Sequence, residues 1–366
     1  MLKIAAQKAE NREPEPHRRV RKPVSLLLVV LLGVLLCAML LALSFGATSI
    51  PFPSIVQILL NGTGIFHFTP SWDSSAELII WQVRMPVVVG AALVGAALAV
   101  AGVLFQGMLR NPLADPYLMG TSSGAALGAA IAFVLPFDTV YGSLFSLTPL
   151  LAFAGAMLSV LLVYSIARVG GKTPVVTLLL AGVVVNAVLV AFQTLVLTIS
   201  PHAQFGIQAL FNWLSGGISV TSWPPVGIVA VLILGAIGLA WALAGMLDAF
   251  ALGEESAAYL GLNVERRKLL IIVIGSLLTG AAVSISGLIG FVGLVTPHMM
   301  RLLLGPRHRL LLPASALGGA IFLVLADLLG RTIIAPAVLP VGVFTALVGA
   351  PFFLFLLRRS KSEYKW

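Results

Sequence analysis

Long apolar runs with very little charge between them constrain this chain more than any other feature of its sequence. Only 10% of its 366 residues are charged and 59% are hydrophobic, whereas a soluble globular domain carries about 25% charged residues. A chain this poor in charge cannot cover its surface with polar groups, so most of that surface must face lipid. We therefore predict an all-α integral membrane protein.

A basic tail precedes the first apolar run, and this run is too long for a signal peptide. Residues 1–23 are polar and basic, and the run 24–45 then has 22 residues. The apolar region of a signal peptide has about 7–15 residues, whereas a membrane helix needs about 20. We therefore predict a disordered cytosolic tail at 1–23, one transmembrane domain at 24–359 and a second cytosolic tail at 360–366.

The spacing of Lys and Arg predicts the topology of the domain. These residues lie in groups at 3–22, 110, 168–172, 266–268, 301–309 and 358–365. If every group faces the cytosol, as the positive-inside rule requires, each interval between groups crosses the membrane an even number of times. Each interval has room for two crossings, which predicts ten transmembrane helices with both termini in the cytosol. Nine or eleven helices would instead place one terminus and its basic group outside.

The tightest interval predicts a short helix. Residues 269–300 provide 32 residues for two crossings, where two full crossings need roughly 40. We therefore expect a turn at 286–290 and a short helix that starts at Thr296–Pro297, since proline suits a first helical position. In this topology only Arg84 and Arg331, of the 22 Lys and Arg residues, lie on the outer side.

The motifs of an enzyme and of an ion-coupled transporter are missing from the sequence. It contains no Gly-x-x-x-x-Gly-Lys-Ser/Thr phosphate loop, no paired carboxylates and no His/Cys cluster. The predicted helix interiors hold almost none of the charges that bind protons or sodium. The exception, Asp327, is spaced to pair with Arg331 one helical turn later. We predict no catalytic residue, metal site or bound cofactor on this chain, although His67 and His202 lie on the outer side, where a metal-containing substrate would pass.

A transporter that lacks both an ion site and an ATPase motif needs energy from another subunit. The simplest solution is an ATPase that docks on the cytosolic face. The longest cytosolic connection between predicted helices, Leu247–Asn263, is mixed in charge and weakly helical, so it is the candidate dock. The net charge of +9 does not indicate a nucleic-acid partner, because the basic residues lie in small groups between apolar runs.

Five segments of the sequence carry a resemblance to a known family. They read VRMPVVVGAALVGAALAVAGVLFQGMLRNPLADPYLMGTSSGAALGA at 83–129, LLLAGVVVN at 178–186, ALGEESAAYLGLNVERRK at 251–268, SGLIGFVGLVTPHMMRLLLGPRHRLLLPASALGGA at 286–320 and LPVGVFTALVGAPFFLFLL at 339–357. With these segments the chain resembles the FecCD-type permease subunits of type II ABC importers for iron chelates, haem and vitamin B12. The resemblance runs from about residue 81 to 358 and excludes the basic tail.

The resemblance implies an assembly and a location. It implies a homodimer of ten-helix subunits in the cell (inner) membrane, two ATP-binding subunits on the cytosolic side that hold ATP and magnesium, and a periplasmic substrate-binding protein on the other side. Substrate would pass along the dimer axis by alternating access. A different class of protein, an ion-coupled secondary transporter or channel that works without an ATPase, remains the alternative. The sequence does not select one metal chelate as the substrate.

The resemblance also implies roles for the two outer arginines. In the related vitamin B12 importer, arginines at the start of the second helix and at the end of the ninth receive glutamates of the binding protein. Arg84 and Arg331 occupy the matching positions. The alternatives are that Arg84 anchors a helix end and that Arg331 pairs with Asp327. A second arginine of the family motif is absent here and is replaced by Val87.

A cytosolic gate and a substrate pathway are implied in the same way. Asn111 matches an asparagine at the inner mouth of the related importer, although an asparagine there is also an ordinary turn residue. A polar Thr-Ser gate pair of that importer is replaced by Val175-Val176, so the gate here is expected to be more apolar. The candidate pathway residues are large and partly apolar, namely Phe192, Gln193, Phe211 and Trp213.

The connection before the seventh helix is the implied coupling site, at residues 247–265. In the family it forms two short helices that fit a cleft of the ATPase. The candidate residues are Gly253, Glu254, Glu255, Ala257, Ala258, Leu260 and Gly261. The glutamates complement a helix N-terminus, Gly261 suits a helix end, and the alanines with Leu260 would present a small apolar surface. Arg266, Arg267 and Lys268 would mark the lipid interface. The alternative is an amphipathic helix that lies on lipid.

Overall fold

Helices make up most of the computed structural model, which describes residues 24–46, 48, 50–70, 72–135, 139–140, 145–201, 203–220, 222–259, 261 and 263–360. In chain order the helices are α1 (Val24–Ser44), α2 (Phe52–Gly62), α3 (Ser74–Leu78), α4 (Met85–Leu109), α5 (Thr121–Val134), α6 (Leu147–Ala167), α7 (Val175–Ile199), α8 (Ala203–Leu214), α9 (Trp223–Ala242), α10 (Ala244–Ala251), α11 (Glu254–Tyr259), α12 (Val264–Ser286), α13 (Val292–Leu304), α14 (His308–Thr332) and α15 (Val341–Ser360). A π-helical turn, Ile79–Arg84, joins α3 to α4, and a 3-10 turn, Pro116–Met119, precedes α5. Two short strands, β1 (Thr139–Val140) and β2 (Phe145–Ser146), pair antiparallel.

Seven helices in the described ranges are long and apolar enough to cross a membrane. These are Leu26–Ser44 of α1, the continuous α3–α4 segment Ser74–Leu109, α6, α7, α9, α12 and α14. Four further apolar helices are shorter, namely α2, α5, α13 and α15. The all-helical membrane character expected from the low charge is therefore confirmed.

The centre of the bundle consists of α4, α12 and α14, whose side chains are mostly buried, whereas α1 and α7 are mostly exposed. Glycines let these central helices approach closely. A Cβ added at Gly95 of α4 would overlap the carbonyl oxygen of Gly319 on α14, and one added at Gly102 would overlap that of Gly293 on α13. Backbone contact of this kind is typical of helix packing in membranes.

The short helix α13 begins earlier than its sequence predicts. The turn lies at 287–291, close to the expected 286–290, but the helix starts at Val292 rather than at Thr296–Pro297. Pro297 therefore lies inside the helix and cannot donate to the carbonyl of Gly293 four residues earlier. The buried side chain of Gln106 on α4 donates to that oxygen at 3.3 Å and to Leu294 O at 3.4 Å. A distant side chain thus makes the internal proline tolerable.

Two connections between the predicted membrane helices contain helices of their own, which the even number of crossings does not predict. Helix α2 lies in the loop between α1 and α3, and α8 lies in the loop between α7 and α9. Two crossings within 111–167 also predict an outer turn at 135–138, and residues 136–138 of this turn are outside the described residues. The end of α8 contacts the turn that follows α12, because a Cβ added at Gly287 would overlap the carbonyl oxygen of Trp213.

Candidate functional site

Two short helices, α10 and α11, form the predicted coupling site at the end of the bundle that is expected to be cytosolic. They occupy 244–251 and 254–259, so the site begins three residues before the expected 247 and α12 starts at 264. Gly253 joins them with φ 109°, a backbone conformation that glycine adopts without strain. Gly261, with φ 79°, closes the end of α11 by donating its N–H to Ala258 O.

Helix α10 is fixed to the core, which holds the site in place. Leu247 and Phe250 are completely buried. Asp248 accepts from the backbone N–H of His308 at 3.0 Å, and its Oδ1 lies 2.7 Å from the ring Nδ1 of the same histidine. His308 is the first residue of α14, so Asp248 satisfies an otherwise free donor at that helix N-terminus. His308 is therefore a helix-end residue whose backbone N–H is capped by Asp248.

Helix α11 turns a different face outward from the one that its sequence suggested. Ala257 is completely buried within the chain, so its methyl group packs inside and does not form part of an exposed apolar surface, contrary to the expectation. Glu255 and Ala258 are exposed, and Tyr259 is 92% exposed. Leu260, the other expected apolar contact, lies outside the described residues.

Lys268 connects α11 with two other parts of the chain. Its side chain is 4% exposed, and its Nζ lies 2.7 Å from Glu254 Oε2 and 3.4 Å from Glu265 Oε1. It also donates to the carbonyl oxygen of Thr173 at 3.2 Å, while the N–H of Thr173 donates to Glu265 Oε2 at 2.9 Å. The sequence suggested that Lys268 lies at the lipid interface, but its side chain is buried. It joins Glu254, Glu265 and Thr173 in an ionic cluster whose two glutamates are partly exposed.

A cleft with a volume of about 530 Å³ opens beside this cluster. It lies between the end of α4 at 108–110, the start of α7 at Val175, and residues 252–256, which form the connection after α10 and the first turn of α11. Arg110 ends α4 with φ 51° and approaches Gly253, because a Cβ at that glycine would lie 3.6 Å from Arg110 Nη1. The start of α7 and the candidate coupling residues therefore line one concave surface.

At the opposite end, Arg84 anchors helix α1. Its side chain is 5% exposed, and its guanidinium donates to the carbonyl oxygens of Leu43 at 2.5 Å and of Ser44 at 3.3 Å, and to that of Thr48. The carbonyls of Leu43 and Ser44 are at the C-terminus of α1, where cations are favourable. The structure thus shows the helix-anchoring alternative, and docking by Arg84 stays a prediction.

Arg331 is paired with Asp327, as the helical spacing indicates. Its Nη2 lies 2.6 Å from Asp327 Oδ2, and the two side chains are 18% and 6% exposed. The Nε of Arg331 is buried and has no hydrogen-bond partner in the part of the chain that the structure describes. Docking of a binding protein at Arg331 also stays a prediction.

The expected gate and pathway residues lie in different surroundings. Asn111 is exposed, and its Oδ1 accepts from the N–H of Leu113 at 2.9 Å, so it forms the ordinary turn that the sequence also allowed. Phe192 and Phe211 are 52% and 65% exposed, and Gln193 is half-buried. Trp213 differs, because it is buried beside Leu210 in a small core and lines no open surface in this structure.

Some contacts of the site cannot be predicted from the sequence. The pairing of Glu265 with Lys268 is readable from its i,i+3 spacing, but their links to Glu254 and Thr173 depend on the tertiary fold. Within the described ranges, no group of three or more His, Cys, Asp or Glu residues is placed to hold a metal ion.

Comparisons with known proteins give a consistent result. Residues 34–359 match the FecCD transport family. The chain is 43% identical over 284 residues to the cobalamin import system permease protein BtuC of Halobacterium salinarum, covering 78% of this chain and 74% of that protein. It is 40% identical over 308 residues to the hemin transport system permease protein HmuU of Yersinia pestis, covering 81% and 89%. A solved structure described as the "inward-facing conformation" of a "metal-chelate type ABC transporter" aligns with a TM-score of 0.75 and 29% identity, covering 92% of this chain and 99% of that one.

Proposed function

Because this chain belongs to the FecCD transport family, we propose that it is the membrane-spanning permease subunit of an ATP-driven importer for a metal chelate. The observation that carries the proposal is the match over residues 34–359, which includes α10, α11 and nearly every spanning helix. The similar proteins named for cobalamin and hemin transport give the class of substrate, a large metal-containing chelate. A ferric siderophore belongs to the same class.

The proposed membrane arrangement has ten spanning helices. Adding the shorter helices α5, α13 and α15 to the seven long ones gives this number, and it agrees with the even number of crossings that the basic groups require. Both termini then lie in the cytosol and the protein lies in the cell membrane. Helix α2 is left in the outer loop between α1 and α3, where it does not cross.

A homodimer is part of the proposal. Several large apolar side chains of α7 and α8 are exposed in the single subunit, with Phe205 82% and Phe211 65% exposed. Helix α8 lies in the predicted outer loop, where a second copy of the chain would cover these rings. The pathway would then run between the two subunits, past Phe192, Gln193 and Phe211, toward Asn111.

The proposed mechanism is alternating access driven from the predicted cytosolic end. Two ATP-binding subunits hold ATP and magnesium, and their movement on binding and hydrolysis shifts α10 and α11. This chain contributes no catalytic residue and rearranges its helices around the central cavity. A periplasmic binding protein delivers the chelate at the outer end, where Arg331 and Arg84 lie, by electrostatic attraction that mainly steers association.

Native mass spectrometry of the chain, expressed together with its cognate ATP-binding subunit, tests the assembly. We expect a complex with two copies of each subunit, because each permease copy offers one pair of coupling helices. A purified chain that stays monomeric and binds no ATP-binding subunit would favour the alternative, an ion-coupled secondary transporter or channel that works by itself.

A further inference from the structure

The ionic cluster around Lys268 connects the two elements that a coupled importer has to move together. It joins Glu254 of α11 to Thr173, which lies two residues before α7, through the Nζ of Lys268. Thr173 is 2% exposed, and the next residue, Pro174, is the N-cap of α7. Since proline has a fixed φ, the junction between the cluster and α7 is stiff.

Lys268 makes two separate contacts, each of which is called an arm. One arm is the 2.7 Å contact with Glu254 Oε2, whose side chain is 41% exposed. The other is the 3.2 Å bond to Thr173 O, supported by Glu265, which binds the N–H of the same residue. A buried ammonium that loses one of its partners is costly, because the remaining charge is not compensated. A shift of α11 that keeps both contacts of Lys268 would therefore also shift the start of α7.

We infer that Lys268 is a positioning residue that transmits movement of α11 to the cytosolic end of α7, where Val175-Val176 occupy the expected gate. The inference rests on the proposed function and adds to it the route by which the coupling helices reach the gate. Lys268 itself does not touch the ATPase, since its side chain is 4% exposed. The route runs from Glu254 through Lys268 and Glu265 to Thr173.

A gate label tests this route without knowledge of the substrate. Cys37, the single cysteine of the chain, is replaced by serine, and Val176, which is 68% exposed, is replaced by cysteine. The complex with the ATP-binding subunit is placed in vesicles, and the alkylation rate of Val176→Cys by a maleimide is measured without nucleotide and after trapping with ATP and vanadate. The labelled complex is first shown to hydrolyse ATP and to change its alkylation rate on trapping.

Lys268→Met should reduce this nucleotide-dependent change at least about fivefold, the lower end of typical coupling between sites, while ATP hydrolysis and assembly persist. Lys268→Arg should retain the change, because a guanidinium also binds both carboxylates. Glu254→Gln, which cuts only the arm to α11, should reduce it as well. Arg266→Met is the matched control, since it removes an exposed positive charge from the same helical turn and should leave the change intact.

The outcomes separate the inference from the proposed function. A nucleotide response that survives Lys268→Met overturns the route, even if Glu254→Gln abolishes the response, because Glu254 would then act by touching the ATPase directly. If Lys268→Met does not fold, Glu265→Ala decides, because it weakens the arm to Thr173 and leaves Lys268 paired with Glu254. If Glu265→Ala loses the nucleotide response, the route is supported. If Glu265→Ala retains the response, the route is overturned. A labelled complex that never forms, or never responds, instead contradicts the proposed function.

Discussion

Replacing Arg84 with glutamate should prevent the chain from folding stably. The guanidinium is buried and donates to the carbonyl oxygens of Leu43, Ser44 and Thr48. A carboxylate would face these oxygens and the negative C-terminal end of α1. Each buried carbonyl that loses its donor costs about 1–3 kcal/mol, so the loss of three such bonds removes a large part of the stability of a domain. Fluorescence-detected size exclusion and thermal melting in detergent would show aggregation or a much lower Tm.

Two control variants test whether the loss of folding is specific to Arg84. Arg266→Glu also reverses an arginine charge, but on an exposed side chain in the first turn of α12, where an acidic residue is tolerated. The double change Arg331→Gln with Asp327→Asn removes both charges of a pair, so we expect it to fold and to lower the affinity for the binding protein at low salt. An Arg84→Glu protein with unchanged Tm would show that Arg84 does not anchor α1.

Replacing Tyr259 with alanine should largely abolish binding of the ATP-binding subunit. Tyr259 is 92% exposed at the end of α11, and a tyrosine in this setting is typical of a residue that dominates an interface. Loss of such a residue costs about 2 kcal/mol or more, which is roughly thirtyfold in Kd. Co-purification and a titration of the ATP-binding subunit into the permease in nanodiscs measure the change.

Leu303→Ala is the matched control for the tyrosine. Leu303 is a 65% exposed apolar residue near the same end of the bundle, on α13, and it lies outside the proposed coupling site. Its replacement should leave the affinity for the ATP-binding subunit unchanged. Equal affinities of the Tyr259→Ala and unaltered proteins would show that the exposed face of α11 is not the dock, and would favour an α11 that rests on lipid.

The membrane character was readable from sequence because it depends on local composition, whereas the two coupling helices were implied by the resemblance to the family. Low charge and long apolar runs predicted the spanning helices. The acidic residues at 254–255 and the glycine at 261 marked the ends of α11, and this glycine adopts a positive φ. The start predicted for α13, at Thr296–Pro297, was wrong. The penalty of an internal Pro297 is offset by Gln106, which donates to Gly293 O although it lies 187 residues from that glycine in the chain.

The orientation of side chains was harder to predict than the position of helices. Ala257 and Ala258 are neighbours of the same type, and only the packing of α11 decides that the first is buried and the second exposed. Lys268 follows Arg266 and Arg267 and resembled an interfacial residue, yet the fold brings Glu254 and Thr173 to it. Helices α2 and α8 were missed because the topology required only a connection at those places.

Uptake into proteoliposomes tests the central claim most directly, that this chain is a permease driven by a separate ATPase. Vesicles holding the chain alone, or the chain with its ATP-binding subunits, are supplied with the cognate binding protein and with ferric citrate, a ferric hydroxamate, haem or cobalamin. We expect one of these chelates to accumulate only when the ATP-binding subunits and ATP are both present, and vanadate to stop its uptake. Accumulation at the same rate by the chain alone, without ATP, would contradict this account.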